Sequence, residues 1–516
     1  MKKGFTLIEL LAVILILGII ALIAIPTVNN ILKESRRGAF QSTLTNLVKA
    51  IEEKCTTEQI KNQEITTMYT ISGGVITPSL DIKGELPDGV IYVNKDCEVS
   101  FNLSDNNFTG TKETEGEIVI VDKGNSSVTV YKEELLNGTD PVITGGLIPV
   151  TINDDGTVKK ADVTKKWYSY AEKMWANAVI LTEDGKVESD GTIKEESIES
   201  YFVWIPRFKY KLFNLGNYTE FIRATPPGTG VTIVDIIFEN KDTPISVGTE
   251  VGEYHSHPAF QAFDTNGFWV GKFEPSGTTE NITIKPNKSS LRHTIIKSMF
   301  ETAYNYRRDN ESHMMKNTEW GAAAFLATSK YGINKKININ NNKNYITGYS
   351  SIVETDDENY PGSGVGEEYN LPYNTEIGYK ASSTGNITGV YDMSGGAYEY
   401  MASFVDGNLG TSGFTEDPTL TYGTKYFDKY NSTSTDKTYN YRILGDATGE
   451  MGPFYLNGGL LKNNWWNEGS YFVNSNYPWF DRGGCYSDSY LAGQFGFSAD
   501  VGENYDFVSF RMVLAK

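Results

Sequence analysis

The chain is poor in residues on which many metalloproteins and small exported domains depend. Its 516 residues include three cysteines and four histidines. Three cysteines are too few for a disulfide scaffold, although an exported protein can still use one bridge. The histidines form one close pair, His255 and His257, which alternate strand positions would bring to the same face. Because no second ligand pair accompanies it, we interpret this pair as structural and assign no metal ligand.

Basic residues are also in deficit. Lys and Arg total 46 against 65 Asp and Glu, which gives a formal charge of −19. This sign is wrong for a phosphate-bearing partner, so nucleic acid is not expected as a partner. The chain lacks a Walker-type loop, a Gly-x-Ser-x-Gly elbow and a Gly-x-Gly-x-x-Gly turn opening a helix. Common nucleotide enzymes are therefore disfavoured.

Two acidic runs, Asp356-Asp-Glu358 and Glu367-Glu368, supply the hard oxygen ligands that calcium prefers. Neither run has the ordered spacing of a calcium loop, so we interpret both as solvated loops. Calcium bound elsewhere through backbone carbonyls is left open. No other cofactor is expected.

What the chain has in abundance is glycine and aromatic residues, with 50 Gly, 32 Tyr and 25 Phe. Such a composition predicts short strands and turns, and the length predicts two or three domains. The fold class expected is α+β. Strand patterns occur at Gly89–Val93, Val99–Leu103, and in a hairpin of Glu117–Val121 with Ser127–Tyr131, and short helices are expected near Leu291–Asn305 and Thr318–Ser329. The domains expected are a small β-rich head over 54–136, a turn-rich linker over 137–148 and one large domain over 149–516.

The N-terminus alone is strongly helical in pattern. Lys2 and Lys3 precede an apolar run, and a helix over 5–25 would span roughly 30 Å, which is one membrane crossing. The positive flank places the N-terminus in the cytoplasm and the rest of the chain outside. No small-residue cleavage site follows at Pro26, so this segment is expected to be kept. Apolar residues then continue at helical spacing, which predicts one helix over 5–53.

The string Gly4-Phe-Thr-Leu-Ile-Glu9-Leu-Leu closely resembles the type IV prepilin signal. A carboxylate inside a membrane helix is costly without a partner, which marks Glu9 as functional. The resemblance implies a leader over 1–4, cleavage after Gly4 by a prepilin peptidase, methylation of Phe5, and pairing of Glu9 with a neighbouring subunit. It also implies other pilin subunits and the membrane as partners. The expected location is the inner or cytoplasmic membrane, followed by a surface pilus or pseudopilus.

The three cysteines fall into two regions of the sequence. Cys55 and Cys97 lie near each other, and Cys485 lies near the far end of the chain. Cys55 and Cys97 are the expected bridge, and Cys485 is expected to be a free thiol.

Five strings in the second half of the chain stand in a family order: Gly267-Phe-Trp-Val-Gly-Lys-Phe-Glu274, Asn317-Thr-Glu-Trp-Gly, Gly389-Val-Tyr-Asp-Met-Ser-Gly-Gly-Ala-Tyr-Glu-Tyr400, Arg482-Gly-Gly-Cys-Tyr486 and Ser509-Phe-Arg-Met-Val513. Together they resemble the formylglycine-generating (sulfatase-modifying) domain, a branch of the C-type-lectin fold. The resemblance implies that fold for 149–516. Three departures bear on activity: Gly396 replaces an asparagine, Tyr398 and Tyr400 replace tryptophans, and Cys485 stands where the enzymes carry two cysteines. The chain is therefore not expected to be an enzyme.

The segment 458–516 mixes aromatic residues with Asn, Ser, Asp and Gly, a composition typical of adaptable binding surfaces. Its frame, from Trp465 through Arg482-Gly-Gly to Val508-Ser-Phe-Arg, resembles the variable C-terminus of target proteins of diversity-generating retroelements. In that family codons are rewritten within a fixed C-type-lectin frame. By position, the resemblance implies the following variable or ligand-facing residues: Glu468, Tyr477, Asp481, Cys485, Ser487, Asp488, Tyr490, Gln494, Ser498, Asp500, Glu503, Tyr505 and Phe507.

The function predicted is therefore a surface-displayed, pilin-like adhesion subunit. Its C-terminal region would bind an extracellular protein or glycan without catalysis. Two alternatives stay open: an exported enzyme related to the formylglycine-generating oxidases, with Cys485 as its redox residue, and a purely structural pilus subunit. No catalytic residue is assigned.

Overall fold

The computed structural model describes residues 35–61, 65–80, 82, 86–105, 107–112, 116, 118–122, 137–212, 234–242, 254–351, 370–431, 443–448, 461–462, 468–488 and 491–516. The leader 1–4, the expected membrane segment 5–25 and Glu9 lie outside these residues. Within the described ranges, none of the helices combines the length and apolar character that a membrane crossing needs. The chain divides into two compact units, Met1–Glu133 and Glu134–Lys516.

Unit 1 is built around helix α1, residues 35–60. Its buried residues recur at three- or four-residue intervals, which places them on one side of the helix: Phe40, Leu44, Leu47, Ile51 and Cys55. The helix continues seven residues beyond its predicted end at 53, so residues 54–60 belong to it and not to the head. This stripe forms one apolar cluster with the strands.

An antiparallel sheet of six strands, in the order β2-β1-β3-β4-β5-β6, supplies the other half of that cluster. The strands are β1 Met68–Ser72, β2 Val75–Thr77, β3 Asp88–Val93, β4 Val99–Ser104, β5 Phe108–Lys112 and β6 Val119–Asp122. Strands β3 and β4 confirm the two strands that the sequence predicts near residues 90 and 100. Strand β6 covers part of the first arm of the predicted hairpin, and 127–131 lie outside the described residues.

Helix and sheet approach closely at Gly110 on β5. A Cβ atom at this position would stand 2.2 Å from Leu44 Cδ1 and 3.1 Å from Phe40 Cε1. At the start of α1, Arg37 Nη2 donates to the Ile120 carbonyl oxygen at 3.0 Å. Near its end, Cys55 is joined to Cys97 by a disulfide with a Cα–Cα distance of 5.6 Å. The helix is thus fastened to the sheet at both ends.

Unit 2 is mixed helix and strand, with mostly sheet. Its strands, in chain order, are β7 Ile148–Ile152, β8 Val158–Lys160, β9 Asn177–Leu181, β10 Thr192–Ile193, β11 Ile198–Pro206, β12 Phe208–Leu212, β13 Val234–Phe238, β14 His255–Ser256, β15 Gly267–Gly271, β16 Ser276–Gly277, β17 Ile282–Thr283, β18 His313–Met314, β19 Tyr349–Ser351, β20 Asn370–Pro372, β21 Tyr398–Val405, β22 Asp428–Tyr430, β23 Leu461–Lys462, β24 Gly469–Ser470, β25 Trp479–Gly483, β26 Gly493–Asp500, β27 Val508–Phe510 and β28 Met512–Leu514. Its α-helices are α2 Ile296–Tyr306, α3 Asn317–Ala327 and α4 Pro418–Tyr422. The two helices predicted from sequence are confirmed as α2 and α3, with shifted ends.

Two larger sheets organise unit 2. One has the order β10-β8-β7-β9-β11-β15-β28-β18, and the other has the order β22-β21-β25-β26-β24-β23, with β27 paired to β21. Strands β27 and β28 are separated only by Arg511, so the last segment of the chain passes from one sheet to the other at that residue. This crossing places Arg511 in the interior, where it is fully buried.

Residues 137–148, expected as a linker, pack onto unit 2. The buried indole of Trp204 donates to the Thr139 carbonyl at 3.1 Å, and that of Trp269 donates to the Val142 carbonyl at 2.8 Å. Buried indole N–H groups need acceptors, and this segment supplies them. The turn-rich composition at this point therefore reflects an ordered edge of unit 2.

Candidate functional site

Three neighbouring strands bring several of the sequence-predicted residues together. Tyr400 on β21 stands opposite Asp481 on β25, and Asp481 stands opposite Ser498 on β26. Directly opposed residues project from the same face of a sheet. Asp500, two positions beyond Ser498, and Tyr398, two positions before Tyr400, extend that face along their strands.

The loop that follows β26 folds back onto the same face. Tyr400 Oη lies 2.5 Å from Asp500 Oδ1 and 3.0 Å from the Glu503 carbonyl oxygen. Asp500 Oδ1 also accepts the Gly502 N–H at 2.8 Å. These bonds fix the start of the loop, which then presents Glu503 to solvent.

Two aromatic rings at the end of this loop form a half-buried platform. The rings of Tyr505 and Phe507 stack with centroids 4.9 Å apart and planes 13° apart. Tyr398 meets Phe507 edge-on at 6.0 Å. Stacked, partly exposed rings offer rigid contact area at low entropic cost.

A turn after β25 completes the surface. Asp488 Oδ2 accepts the Cys485 backbone N–H at 2.8 Å. Burial is the main cause that raises the pKa of the Tyr398 phenol above its usual range, and the charges of Asp481 and Asp488 add to it. The turn therefore lies against the strand residues. We call the whole surface the acidic-aromatic face, defined by Tyr398, Tyr400, Asp481, Cys485, Asp488, Ser498, Asp500, Glu503, Tyr505, Asp506 and Phe507.

Asp481 at the base of this face is a buried carboxylate. It is 5 % exposed, and its Oδ1 has no hydrogen-bond partner among the described residues. Burial, and then the nearby charges of Asp500 and Asp488, hold the pKa of Asp481 well above its usual range. The adjacent Arg482 projects to the opposite side of β25, where it donates to Asn317 Oδ1 at 3.0 Å.

Cys485 lies at the margin of the face with its thiol covered. The residue is 6 % exposed, and Sγ lies 3.2 Å from Ser487 Oγ. Burial, and then the charge of Asp488, raise the pKa of the Cys485 thiol to about 11. Since the thiolate is the nucleophile, this environment suppresses thiol reactivity at neutral pH.

Two of the residues predicted to face a ligand, Glu468 and Gln494, lie in the core and not on this face. Glu468 is fully buried, with its Oε2 accepting the Phe495 N–H at 2.7 Å, and burial raises its pKa to about 7. Gln494 is also fully buried, and its backbone carbonyl oxygen accepts from Trp320 Nε1 at 2.7 Å. Both positions are in the strongly apolar interior that supports the face.

Of the remaining predicted positions, two lie outside the core and one lies outside the residues that the structure describes. Tyr477 is 46 % exposed in a turn closed by reciprocal backbone bonds with Asn474. Ser487 is exposed beside the face. Tyr490 lies outside the described residues.

Sequence reasoning missed the aromatic members that come from other segments. Tyr398 and Tyr400 were interpreted as replacements of family tryptophans, and their alternation in Tyr-Glu-Tyr is the signal that places both on one side of a strand. At the rim, the Arg292 guanidinium lies 3.9 Å from the Tyr345 ring centroid and donates to the Asp506 carbonyl. No local pattern marked this pair.

The opposite side of β21 is locked by a buried ion pair. Arg511 Nε donates to Glu399 Oε2 at 2.9 Å, and its other nitrogens donate to Glu399 Oε1 and to the carbonyl oxygens of Gly271 and Tyr391. Burial raises the pKa of Glu399 to about 7, while Arg511 acts to lower it. The strand that carries Tyr398 and Tyr400 is thereby held from behind.

The histidine pair has no metal-site geometry. His257 is fully buried in an aromatic cage, its Nδ1 accepts the Ala259 N–H at 3.3 Å, and burial lowers its pKa to about 3. In the described part of the chain, no three His, Cys, Asp or Glu side chains are grouped so that they could hold a metal ion. The acidic runs 356–358 and 367–368 lie outside it.

An open polar cleft of about 690 Å³ lies elsewhere in unit 2. It is lined by residues of β17, α2 and the turn between β16 and β17, including Glu280, Asn281 and Glu301. None of the predicted ligand-facing residues lines it. The acidic-aromatic face, in which Glu503 and Asp506 are exposed, is separate from this cleft.

Comparison with known proteins defines the class of the N-terminus. Residues 1–25 match the family described as the prokaryotic N-terminal methylation motif. This is a type IV pilin signal, which implies processing by prepilin peptidase, assembly with other pilins, membrane insertion, and then surface or pseudopilus display.

The other comparisons add little to this. No curated protein matches the chain. Among solved structures, Treponema denticola variable protein 1 aligns at 10 % identity over 65 % of this chain and 100 % of that chain, with a TM-score of 0.15. A score at this level carries no argument about the fold of unit 2.

Proposed function

We propose that the chain is a surface-displayed, pilin-type subunit whose second unit binds an external ligand on the acidic-aromatic face without catalysis. The N-terminal signal supports the display half of this proposal. The observation that carries the binding half is the convergence of strand and loop residues into one half-exposed surface. Tyr400, Asp481 and Ser498 come from three paired strands.

The construction of the face suits recognition. Its strands are braced from behind by the buried pair of Arg511 and Glu399. The loop carrying Glu503 and Tyr505 is anchored by the bond from Tyr400 Oη to the backbone carbonyl of Glu503, a contact that does not depend on the side chain at position 503. A rigid frame with replaceable surface residues is what an adaptable binding protein needs.

We further propose that unit 2 has a C-type-lectin-like fold and that the face is diversified by a retroelement. The proposed fold is supported by the order of the five sequence strings that resemble the formylglycine-generating domain. The proposed diversification is supported by the composition of 458–516. Sequencing the neighbouring DNA tests the second part. An imperfect copy of the 3′ end, differing only at adenine positions and accompanied by a reverse transcriptase gene, is expected; its absence would contradict diversification.

The oxidase alternative is weakened by Cys485. The remaining two of the three cysteines form the bridge in unit 1, so Cys485 has no partner cysteine within the chain. Its buried thiol, whose pKa is raised to about 11, is a poor nucleophile. A thiol-oxidising activity that disappears in Cys485→Ser would nevertheless reinstate the enzyme and overturn the proposal.

Binding can be tested on arrays of defined extracellular proteins and glycans, using the full chain in detergent. The test variant is Tyr505→Ala with Phe507→Ala, and the matched control is Tyr349→Ala, a half-buried tyrosine on β19. We expect at least one defined ligand whose binding is lost in the test variant and kept in the control. If every array ligand binds the Tyr505→Ala and Phe507→Ala variant as well as the parent chain, the proposed site is contradicted. Full adhesion after deletion of 150–516 would contradict it as well.

A further inference from the structure

We propose, resting on the function proposed above, that the ligand class of the acidic-aromatic face is cationic. The occupant would be an extracellular polypeptide segment that presents arginine or lysine side chains. Its guanidinium or ammonium groups would sit among the carboxylates and against the aromatic rings.

The charge of the face is strongly one-sided. Its acidic residues are Asp481, Asp488, Asp500, Glu503 and Asp506. Arg482 projects behind β25 to Asn317, from where its charge acts to lower the pKa of Asp481. Arg292 covers Tyr345 and donates to the Asp506 carbonyl. Neither guanidinium forms an ion pair with the five acids of the face, which therefore carries an excess of acidic side chains.

Asp481 provides an independent sign that this face can take a cation. Its side chain projects to the same side of the sheet as Tyr400 and Ser498, it is 95 % buried, and its Oδ1 lacks a hydrogen-bond partner among the described residues. Burial and the charges of Asp500 and Asp488 raise its pKa, which favours the neutral carboxyl in the unbound protein. A cation placed above this side chain would stabilise its charged form and pair with it.

The rings favour an organic cation. Tyr505, Phe507 and Tyr398 present π-faces and edges beside the carboxylates. Guanidinium and ammonium groups bind over such rings, and guanidinium also stacks on them. The rim already contains one such contact, with Arg292 at 3.9 Å from the Tyr345 ring centroid.

An inorganic ion fits less well. In the described residues, no three carboxylates converge closely enough to hold a metal ion. The acids instead border an open surface of two strands, a turn and a loop. Several positive groups spaced along a polypeptide match that distribution better than one small ion, which needs a compact cage of oxygens.

The first experiment measures calorimetric binding of the full chain in detergent to peptides selected from a random library. The best arginine-containing peptide is compared with a copy in which citrulline, its neutral isostere, replaces arginine. We expect binding to weaken about tenfold or more with citrulline, since charge-assisted hydrogen bonds are lost. We also expect affinity to fall as salt is raised. Selection of acidic peptides, or equal binding of the citrulline copy, would overturn the inference.

The second experiment removes charge from the protein. The double variant Glu503→Gln with Asp506→Asn is expected to bind the selected peptide with roughly fivefold lower affinity. The matched control, Glu183→Gln with Asp184→Asn, removes the same charge from an exposed turn after β9 and should leave affinity unchanged. An equal loss in both double variants would mean a general charge effect and would contradict a local site.

Asp481→Asn separates binding from structure. Asparagine resembles the neutral carboxyl that the raised pKa of Asp481 favours, so the melting temperature should change little, while affinity for the arginine peptide should fall about tenfold because the amide cannot become charged. A purely structural Asp481 would instead lower the melting temperature and leave affinity intact. That result would contradict its role in cation binding.

Failure of this inference is distinguishable from failure of the proposed function. If a neutral or acidic array ligand binds and is lost in the Tyr505→Ala and Phe507→Ala variant, the face is a binding site and its cationic specificity is wrong. If no ligand of any charge depends on these rings, the proposed site itself is wrong.

Discussion

The two units of this chain solve the problem of a stable interior in different ways. In the described part of unit 1, the buried polar residues are only Asn102 and Thr109, and the core is an apolar helix stripe against a sheet. Unit 2 buries many charges, among them Lys272, Glu399 and Arg511. An apolar core needs only matching shapes, whereas buried charges require exact partners. The two interiors should therefore fail under different perturbations.

The largest effect is expected from Arg511→Met in unit 2. This change leaves the Glu399 carboxylate buried without its cation, and breaking one partner of a buried pair costs about 3 to 5 kcal/mol. All eight tryptophans of the chain lie within unit 2, so denaturant unfolding followed by tryptophan fluorescence reports that unit.

Arg307→Met is the matched control for this variant. Arg307 pairs with Glu199 at 2.9 Å but is 36 % exposed, so its loss should cost less than about 1 kcal/mol. Equal destabilisation by the two substitutions would show that the Arg511 pair is no more important than a surface ion pair.

Unit 1 should respond instead to removal of its disulfide. Cys55→Ala with Cys97→Ala opens a loop with a sequence separation of 42 residues, which is expected to cost about 2 to 4 kcal/mol. Hydrogen exchange of peptides from α1 measures this, and a reducing agent should have the same effect on the parent chain. Cys485→Ser is the control, and a comparable acceleration of α1 exchange in that variant would contradict the assignment.

The same contrast explains how much could be predicted from sequence. Unit 1 follows local periodicity, so β3, β4 and most of α1 were predicted correctly. The end of α1 was placed too early because residues 56–60 carry few apolar side chains. In unit 2, α2 and α3 were predictable, but the buried charges were not, since Arg511 and its partner Glu399 are 112 residues apart.

The candidate site shows the same limit. Positions in the loop after β26, such as Glu503 and Tyr505, were assigned by resemblance and lie on the face. Glu468 was assigned to the same surface but is fully buried, and Tyr398 was not assigned to it, because burial on a strand depends on neighbours from distant segments. Local composition indicates that a surface exists, and strand register decides which residues belong to it.

A pH experiment probes the buried carboxylates of unit 2. Burial raises the pKa of Glu468 from 4.5 to about 7, so the folded state holds a proton that the unfolded state releases. Folding stability from this group is therefore present below the unfolded pKa and is lost as pH rises through the folded value. Between about pH 5 and about pH 8, unit 2 should lose roughly 1 to 3 kcal/mol from Glu468.

Glu468→Gln tests that assignment by fluorescence-monitored unfolding across this pH range. The variant should show a shallower pH dependence than the parent chain, because its amide does not titrate. Glu183→Gln, an exposed control, should keep the parent slope. An unchanged slope in Glu468→Gln would mean that other groups carry the pH dependence.

The smallest expected effect comes from two glycines of unit 1 with opposite surroundings. Gly110→Ala would drive a Cβ atom to 2.2 Å from Leu44 Cδ1, so overpacking should cost about 1 to 3 kcal/mol. Gly38→Ala places its Cβ in open space on exposed α1, where alanine should stabilise the helix by roughly 0.5 to 1 kcal/mol. Hydrogen exchange of α1 peptides should therefore quicken in the first variant and slow in the second. The opposite signs separate helix propensity from packing, and a shift of the same sign in both would contradict the close approach of helix and sheet at Gly110.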